Sequence, residues 1–137
     1  MKRSVLAGEK GAAAVEFALV FLPLIILIFG AIEFGLVMYN KQIITNASRE
    51  GARAGIVKRN PVVDDEVVRE VVRQYSLNHL ISFGSDSKKE PETDVDHKNG
   101  QTFGNDLAVT VTYQYRFLTP WFGGPLQLSA QTVMRYE

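Results

Sequence analysis

The chain has 137 residues with 15 Lys+Arg, 15 Asp+Glu and no cysteine. Zero formal charge excludes the global basicity of a nucleic-acid binder, and the absence of cysteine excludes disulfides, thiol nucleophiles, cysteine-borne lipids and Cys-based metal sites. Between Ala12 and Tyr39 the only charged residues are Glu16 and Glu33, with Pro23 as the only proline, while nearly all the remaining charge lies in Asn40–Glu137; that split fits neither a uniform soluble globule nor a disordered chain.

The first segment, Met1–Gly11, sets Lys2, Arg3 and Lys10 against Glu9. A helix from Ala12 to Tyr39 would extend roughly 42 Å at about 1.5 Å per residue, more than the ~30 Å hydrocarbon core of a bilayer. The basic flank belongs on the cytoplasmic side, which sends the rest of the chain outward. The uncharged run Phe17–Ile32 has 16 residues, longer than the about 7–15 of a cleaved secretory signal, and no small-residue cleavage site in a loop follows it. The segment reads as an anchor. Glu16 is its anomaly, because a carboxylate costs about 2.5–3.5 kcal/mol at the centre of a membrane helix and less near an interface. Either Glu16 snorkels to the headgroups, or the chain is cut after Gly11. In the second case Ala12 becomes the terminus, and the new ammonium of a neighbouring subunit neutralises Glu16 in an apolar setting.

Lys10-Gly11-Ala12-Ala13-Ala14-Val15-Glu16-Phe17, followed by an apolar helix, resembles a class III (prepilin-type) signal. More narrowly, it is similar to the start of the TadE-like family, minor pseudopilins of tight-adherence (Flp) pili. Ile32-Glu33-Phe34-Gly35 is similar to the family's Glu-Phe-Gly at the end of the membrane helix. Thr45-Asn46-Ala47-Ser48-Arg49-Glu50-Gly51-Ala52-Arg53-Ala54 resembles its Asn-Ala-Ala-Arg-Glu-Gly-Ala-Arg block, with Ser48 where alanine is commoner, and Ala130–Glu137 is similar to its closing strand. The resemblance implies cleavage between Gly11 and Ala12 by a prepilin peptidase, with Glu16 and Phe17 at the assembly end. It also implies a second minor pseudopilin, the major Flp pilin and an inner-membrane assembly platform as partners.

The helix is expected to continue to about Val57. Ala47, Gly51 and Gly55 recur every four residues along one narrow stripe, which either lets another subunit's backbone approach or packs against this chain's own sheet. Arg49, Glu50 and Arg53 fall on neighbouring faces and read as a structural salt-bridge group. Asn46-Ala47-Ser48 matches a glycosylation triplet, but its mid-helix position argues against use. Asn60-Pro61 reads as the N-cap and first turn of a second helix. Val63, Val67, Val68, Val71, Val72 and Tyr75 give that helix a core stripe as far as about Leu80.

Residues 82–105 are polar and turn-rich, with a short strand expected around Thr93–Asp96 and a turn at Asn99-Gly100. Asp94-Val95-Asp96-His97-Lys98-Asn99 fails the EF-hand spacing at Lys98 and Asn99, leaving a solvated loop, with a looser calcium site in 86–99 as the alternative. From Leu107 to Phe117, and again from Leu126 to Tyr136, apolar and polar residues alternate, which predicts two antiparallel strands. Trp121-Phe122 in the connecting loop is a candidate partner contact or a cap on the sheet.

These readings combine into a pilin-like α+β fold, in which a long N-terminal transmembrane helix continues into a small domain with a second helix and an antiparallel sheet. The expected division is a leader at 1–11, a membrane span at 12–39 and an extracytoplasmic domain at 40–137. His79 and His97 are the only histidines, one at a helix end and the other in a polar loop, and no nucleophile elbow, phosphate loop or zinc spacing accompanies them. The expected function is therefore non-enzymatic and cofactor-free: a minor pseudopilin, trimmed after Gly11, in the bacterial inner membrane or its pilus. The alternative is an unprocessed single-pass anchor carrying an extracytoplasmic binding module or adhesin.

Overall fold

The computed structural model describes residues 3–57, 63–83, 90–119 and 123–136, with side chains from Gly11 onward. Its element order is α1 (Arg3–Ile56), α2 (Asp65–Leu77), β1 (Glu92–Lys98), β2 (Asp106–Tyr115) and β3 (Leu126–Arg135). Contacts divide the chain into two compact units, one ending at Gly35 and one starting at Leu36.

The first unit is helix alone. Its Ala and Leu residues suit a helix, and α1 runs through Pro23, which removes one backbone donor. Large apolar side chains cover its outside, with Phe17, Leu19, Val20 and Leu27 each about two-thirds exposed or more. The helix is long and apolar enough to cross a membrane, and its Gly11–Gly35 stretch spans about 37 Å at 1.5 Å per residue. Against that background Glu33 is buried, 2% exposed.

The second unit is a three-stranded antiparallel sheet, order β1-β2-β3, with α2 and the rest of α1 against one face. The odd residues of β2, Leu107 to Tyr115, are buried and share the core with Ile44, Ala47, Val68 and Val72. The even residues face the other way, in register with Glu92, Asp94 and Asp96 on one side and Ser129, Gln131 and Val133 on the other. Ala108 is buried even there, a small side chain opposite Asp96 and Val133.

Several local expectations are corrected. The cap of α2 is Asp64, whose carboxylate accepts from the Glu66 N–H at 3.4 Å, with Asp65 and Glu66 favouring the helix dipole; Asn60 and Pro61 lie outside the described residues. The buried ridge of α2 is Val68, Val72 and Ser76, and Val67 is 47% exposed. Valines at adjacent spacings offer two overlapping ridges, and only the one meeting α1 is buried. The strand expected around Thr93–Asp96 is present as β1 and is longer, seven residues running on to Lys98, so His97 lies on a strand and not in a loop, and Asp94 and Asp96 point to its open side. Asn99 and Gly100, at φ 66° and 95°, make the turn after it, closed by Gly100 N–H donating to the His97 carbonyl at 3.1 Å. Both residues need the left-handed region that Asn and Gly tolerate.

Candidate functional site

The N-terminal end of α1 carries the residues expected to be processed. A Cβ added at Gly11 would meet nothing within 4 Å, so packing within this chain gives no reason for glycine there. Glu16 and Phe17 are exposed, and the Phe17 ring stacks on Phe21 with centroids 5.2 Å apart, as (i, i+4) aromatics on a helix do.

The outer part of α1 is fixed by three devices. Asn40, fully buried, donates from Nδ2 to the Ile81 carbonyl and accepts at Oδ1 from the Ile81 N–H, both at 2.9 Å. The amide thereby pairs with a stretch of backbone after α2 that has no strand partner. Ser48, also fully buried, donates to or accepts from Thr132 at 2.7 Å and lies 2.8 Å from the Thr45 carbonyl, so the serine that departs from the family block has a partner on β3. The third device is the absence of side chain. A Cβ at Gly51 would sit 2.6 Å from Val72 Cγ2, and one at Gly55 would collide with Leu107 Cδ2. Gly51 and Gly55 are therefore spent on this chain's own α2 and β2, and Ala47 is buried in the same core.

Arg49, Glu50 and Arg53 differ from their buried neighbours. All three are exposed, and the Arg53–Glu50 distance is 4.0 Å, a contact of little energetic consequence at a solvated surface. The expected structural salt bridge is thus loose at Arg53 and does not include Arg49.

His97 has both ring nitrogens engaged, Nδ1 with the Tyr136 hydroxyl and Nε2 with Asp65 Oδ1, each at 2.6 Å. This network ties β1 to α2 and to the end of β3. Burial, then the Asp65 charge, pushes the Tyr136 phenol up from its usual range, so it stays a neutral hydrogen-bonding group. It offers no reactive nucleophile, and among the described residues no group of three His, Asp or Glu side chains could hold a metal ion. His79 caps the end of α2, its Nδ1 lying 2.8 Å from the Tyr75 carbonyl.

Trp121 and Phe122 lie outside the described residues. A shallow depression of about 440 Å³ is lined by Phe83, Phe117, Leu118 and Pro125 among others. Away from α1, Phe103 is an exposed aromatic, 84% accessible, in the β1–β2 loop held by Asn105 Nδ2 donating to the Asn99 carbonyl at 2.7 Å and to Thr102 Oγ1 at 2.6 Å. A lone Phe in a polar loop has no periodicity to flag it.

The family model described as TadE-like protein matches residues 11–53. About a third of the chain is thus similar to that family. The match opens at Gly11 and closes at Arg53, taking in the exposed helix and the block from Asn46 onward. No curated protein and no solved structure matches the chain. The TadE-like match points to a Tad pilus-associated component, a class that is generally non-enzymatic, and the long apolar helix is compatible with single-pass anchoring.

Proposed function

We propose that the chain is a minor pseudopilin, a structural and assembly component of a tight-adherence pilus. It is inserted in the bacterial inner membrane with its N-terminus cytoplasmic, its span at 12–39 and its domain at 40–137 outside. A prepilin peptidase removes residues 1–11 by cutting between Gly11 and Ala12. The cut discards Lys2, Arg3 and Lys10, whose charges hold the segment to the cytoplasmic face, and so helps the helix leave the bilayer. Glu16 then pairs with the new ammonium of a neighbouring subunit and sets the register between helices, with Phe17 beside it. The partners are the peptidase, a second minor pseudopilin, the major pilin and the assembly platform. The size of the outer domain favours a low-copy place at the tip or base over a bulk subunit that is little more than helix.

The observation that carries this reading is that the family match begins at Gly11, a glycine with nothing around it that packing would require. The test is the intact mass of the membrane-extracted protein from cells with and without the peptidase. Loss of residues 1–11 only where the peptidase is present is the expected result; an uncut chain in both strains leaves a permanent anchor with a binding module. Glu16→Gln separates the two further, since it leaves an anchor unharmed and cripples pseudopilin assembly.

A further inference from the structure

Half of the block Thr45–Ala54 is consumed by the fold: Ala47, Ser48 and Ala52 are fully buried and Gly51 abuts Val72. The other half, Arg49, Glu50 and Arg53, stands on the outer side of α1 with no structural task in this chain. Among the described residues no ion pair or side-chain hydrogen bond engages Arg49, and the Arg53 side chain is 75% exposed. The trio is net positive.

The opposite charge lies on the open face of the sheet. β1 presents Glu92, Asp94 and Asp96 there in one row, all exposed and, among the described residues, none in an ion pair. Beside them in register run uncharged Thr112, Thr110 and Ala108, then Ser129, Gln131 and Val133. Basic groups stand toward the ends of the sheet: Lys98 and an Arg135 already 3.3 Å from Asp106 at the start of β2, and Arg116 past its other end. Like charges two residues apart on a strand are about 6.6–6.8 Å apart and repel, a repulsion that a cationic partner relieves. Arg49 and Arg53 are separated by about 6 Å of helix rise, which matches the spacing of Asp94 and Asp96.

The two surfaces lie on opposite sides of the outer unit, because α1 covers the inner face of the sheet and its arginines point away from it. We propose that the Arg49–Glu50–Arg53 face of α1 docks on the Glu92–Asp94–Asp96 face of a second copy of this chain. Such a contact is heterologous: it leaves the acidic face free on one copy and the basic face free on the other, so the contact propagates without closing, as filament contacts do. A low-copy subunit needs only a short run of it. The contact requires the folded outer unit and not cleavage after Gly11, so its failure and the failure of the pseudopilin reading are separately visible.

The absence of cysteine makes disulfide trapping clean. Full-length chains carrying Asn46→Cys, beside the arginines, are co-expressed in membranes with full-length chains carrying Thr110→Cys, in register with Asp94. A disulfide between the two chains is expected. Either Arg49→Glu with Arg53→Glu on the first chain, or Asp94→Arg with Asp96→Arg on the second, should cut its yield about tenfold. Combining both reversals should restore it. These side chains are exposed, so the variants should keep their protease resistance, which is checked in parallel. Linking that ignores the reversals, loss that the combined reversal does not restore, or linkage of the Asn46→Cys chain to a different protein in place of the second copy would each overturn the proposal.

Discussion

Gly35 and Gly51 sit in the same helix, yet a methyl group added at Gly35 would meet nothing within 4 Å, while one at Gly51 would press on Val72 Cγ2 at 2.6 Å. The contrast extends along both halves of α1. Up to Gly35 most of the described large apolar side chains point outward, Leu19 at 73% and Leu27 at 68% exposed, a surface suited to lipid or to other helices. From Leu36 on, the helix buries alanine, glycine, serine and asparagine, and its charges face out. One backbone conformation thus serves two environments: in the first half the composition of the side chains states the environment, and in the second their periodicity does.

The largest expected effect breaks the second half where it is most specific. Asn40→Ala leaves the Ile81 N–H without its partner and the Ile81 carbonyl with only the 3.4 Å bond from the Tyr113 hydroxyl in a part-buried site, at a cost of about 1–3 kcal/mol, read as a lowered urea midpoint for the full chain in detergent. Asn40→Asp keeps an acceptor for the Ile81 N–H but sets a buried carboxylate against the Ile81 carbonyl, and should cost at least as much at neutral pH. A midpoint unmoved by Asn40→Ala would show that the amide pairing is not what holds the segment after α2.

An effect no larger than that sharpens the comparison directly. Gly51→Ala forces Val72 aside and should cost about 1–3 kcal/mol. Gly35→Ala adds the same methyl in open space, and its better helix propensity should make it neutral or stabilising by up to about 1 kcal/mol. Equal effects at the two sites, measured by the same denaturation, would mean that the close approach of α1 to α2 is not required.

The strands are legible in the sequence because β2 and β3 alternate with period two for ten residues each, a pattern no helix tolerates on one buried face. The start of α2 is not, because Asn60-Pro61 offers a cap signal as good in chemistry as Asp64, and only the geometry at Asp64 chooses between them. Partners distant in sequence give no signal at all: Asn40 meets Ile81 across 41 residues, and His97 meets Asp65 and Tyr136 across 32 and 39. The block around Gly51 is visible as a block, but sequence cannot divide it into the residues that face β2 and α2 and the arginines that face away. That division is a matter of helix rotation, which only the packing of Gly51 against Val72 fixes.

The smallest effect concerns the exposed side of α2, where charge and not packing acts. Arg73 donates to Glu70 from Nε at 2.6 Å and from a terminal nitrogen at 2.8 Å. These hydrogen bonds, then one from Gln74, lower the Glu70 carboxyl from 4.5 to about 2. A carboxyl with a depressed folded pKa contributes stability that is complete above its unfolded value and is lost as pH falls from about 4.5 through about 2. The wild-type chain should therefore exceed Glu70→Gln in urea midpoint at about pH 6, by a margin that shrinks toward pH 2. Because both side chains are more than 40% exposed, solvent and salt screen the pair, and the margin should also shrink in about 1 M salt. A margin independent of both pH and salt would assign the loss to side-chain packing at position 70, leaving Val68 and Val72 to hold α2 in place unaided.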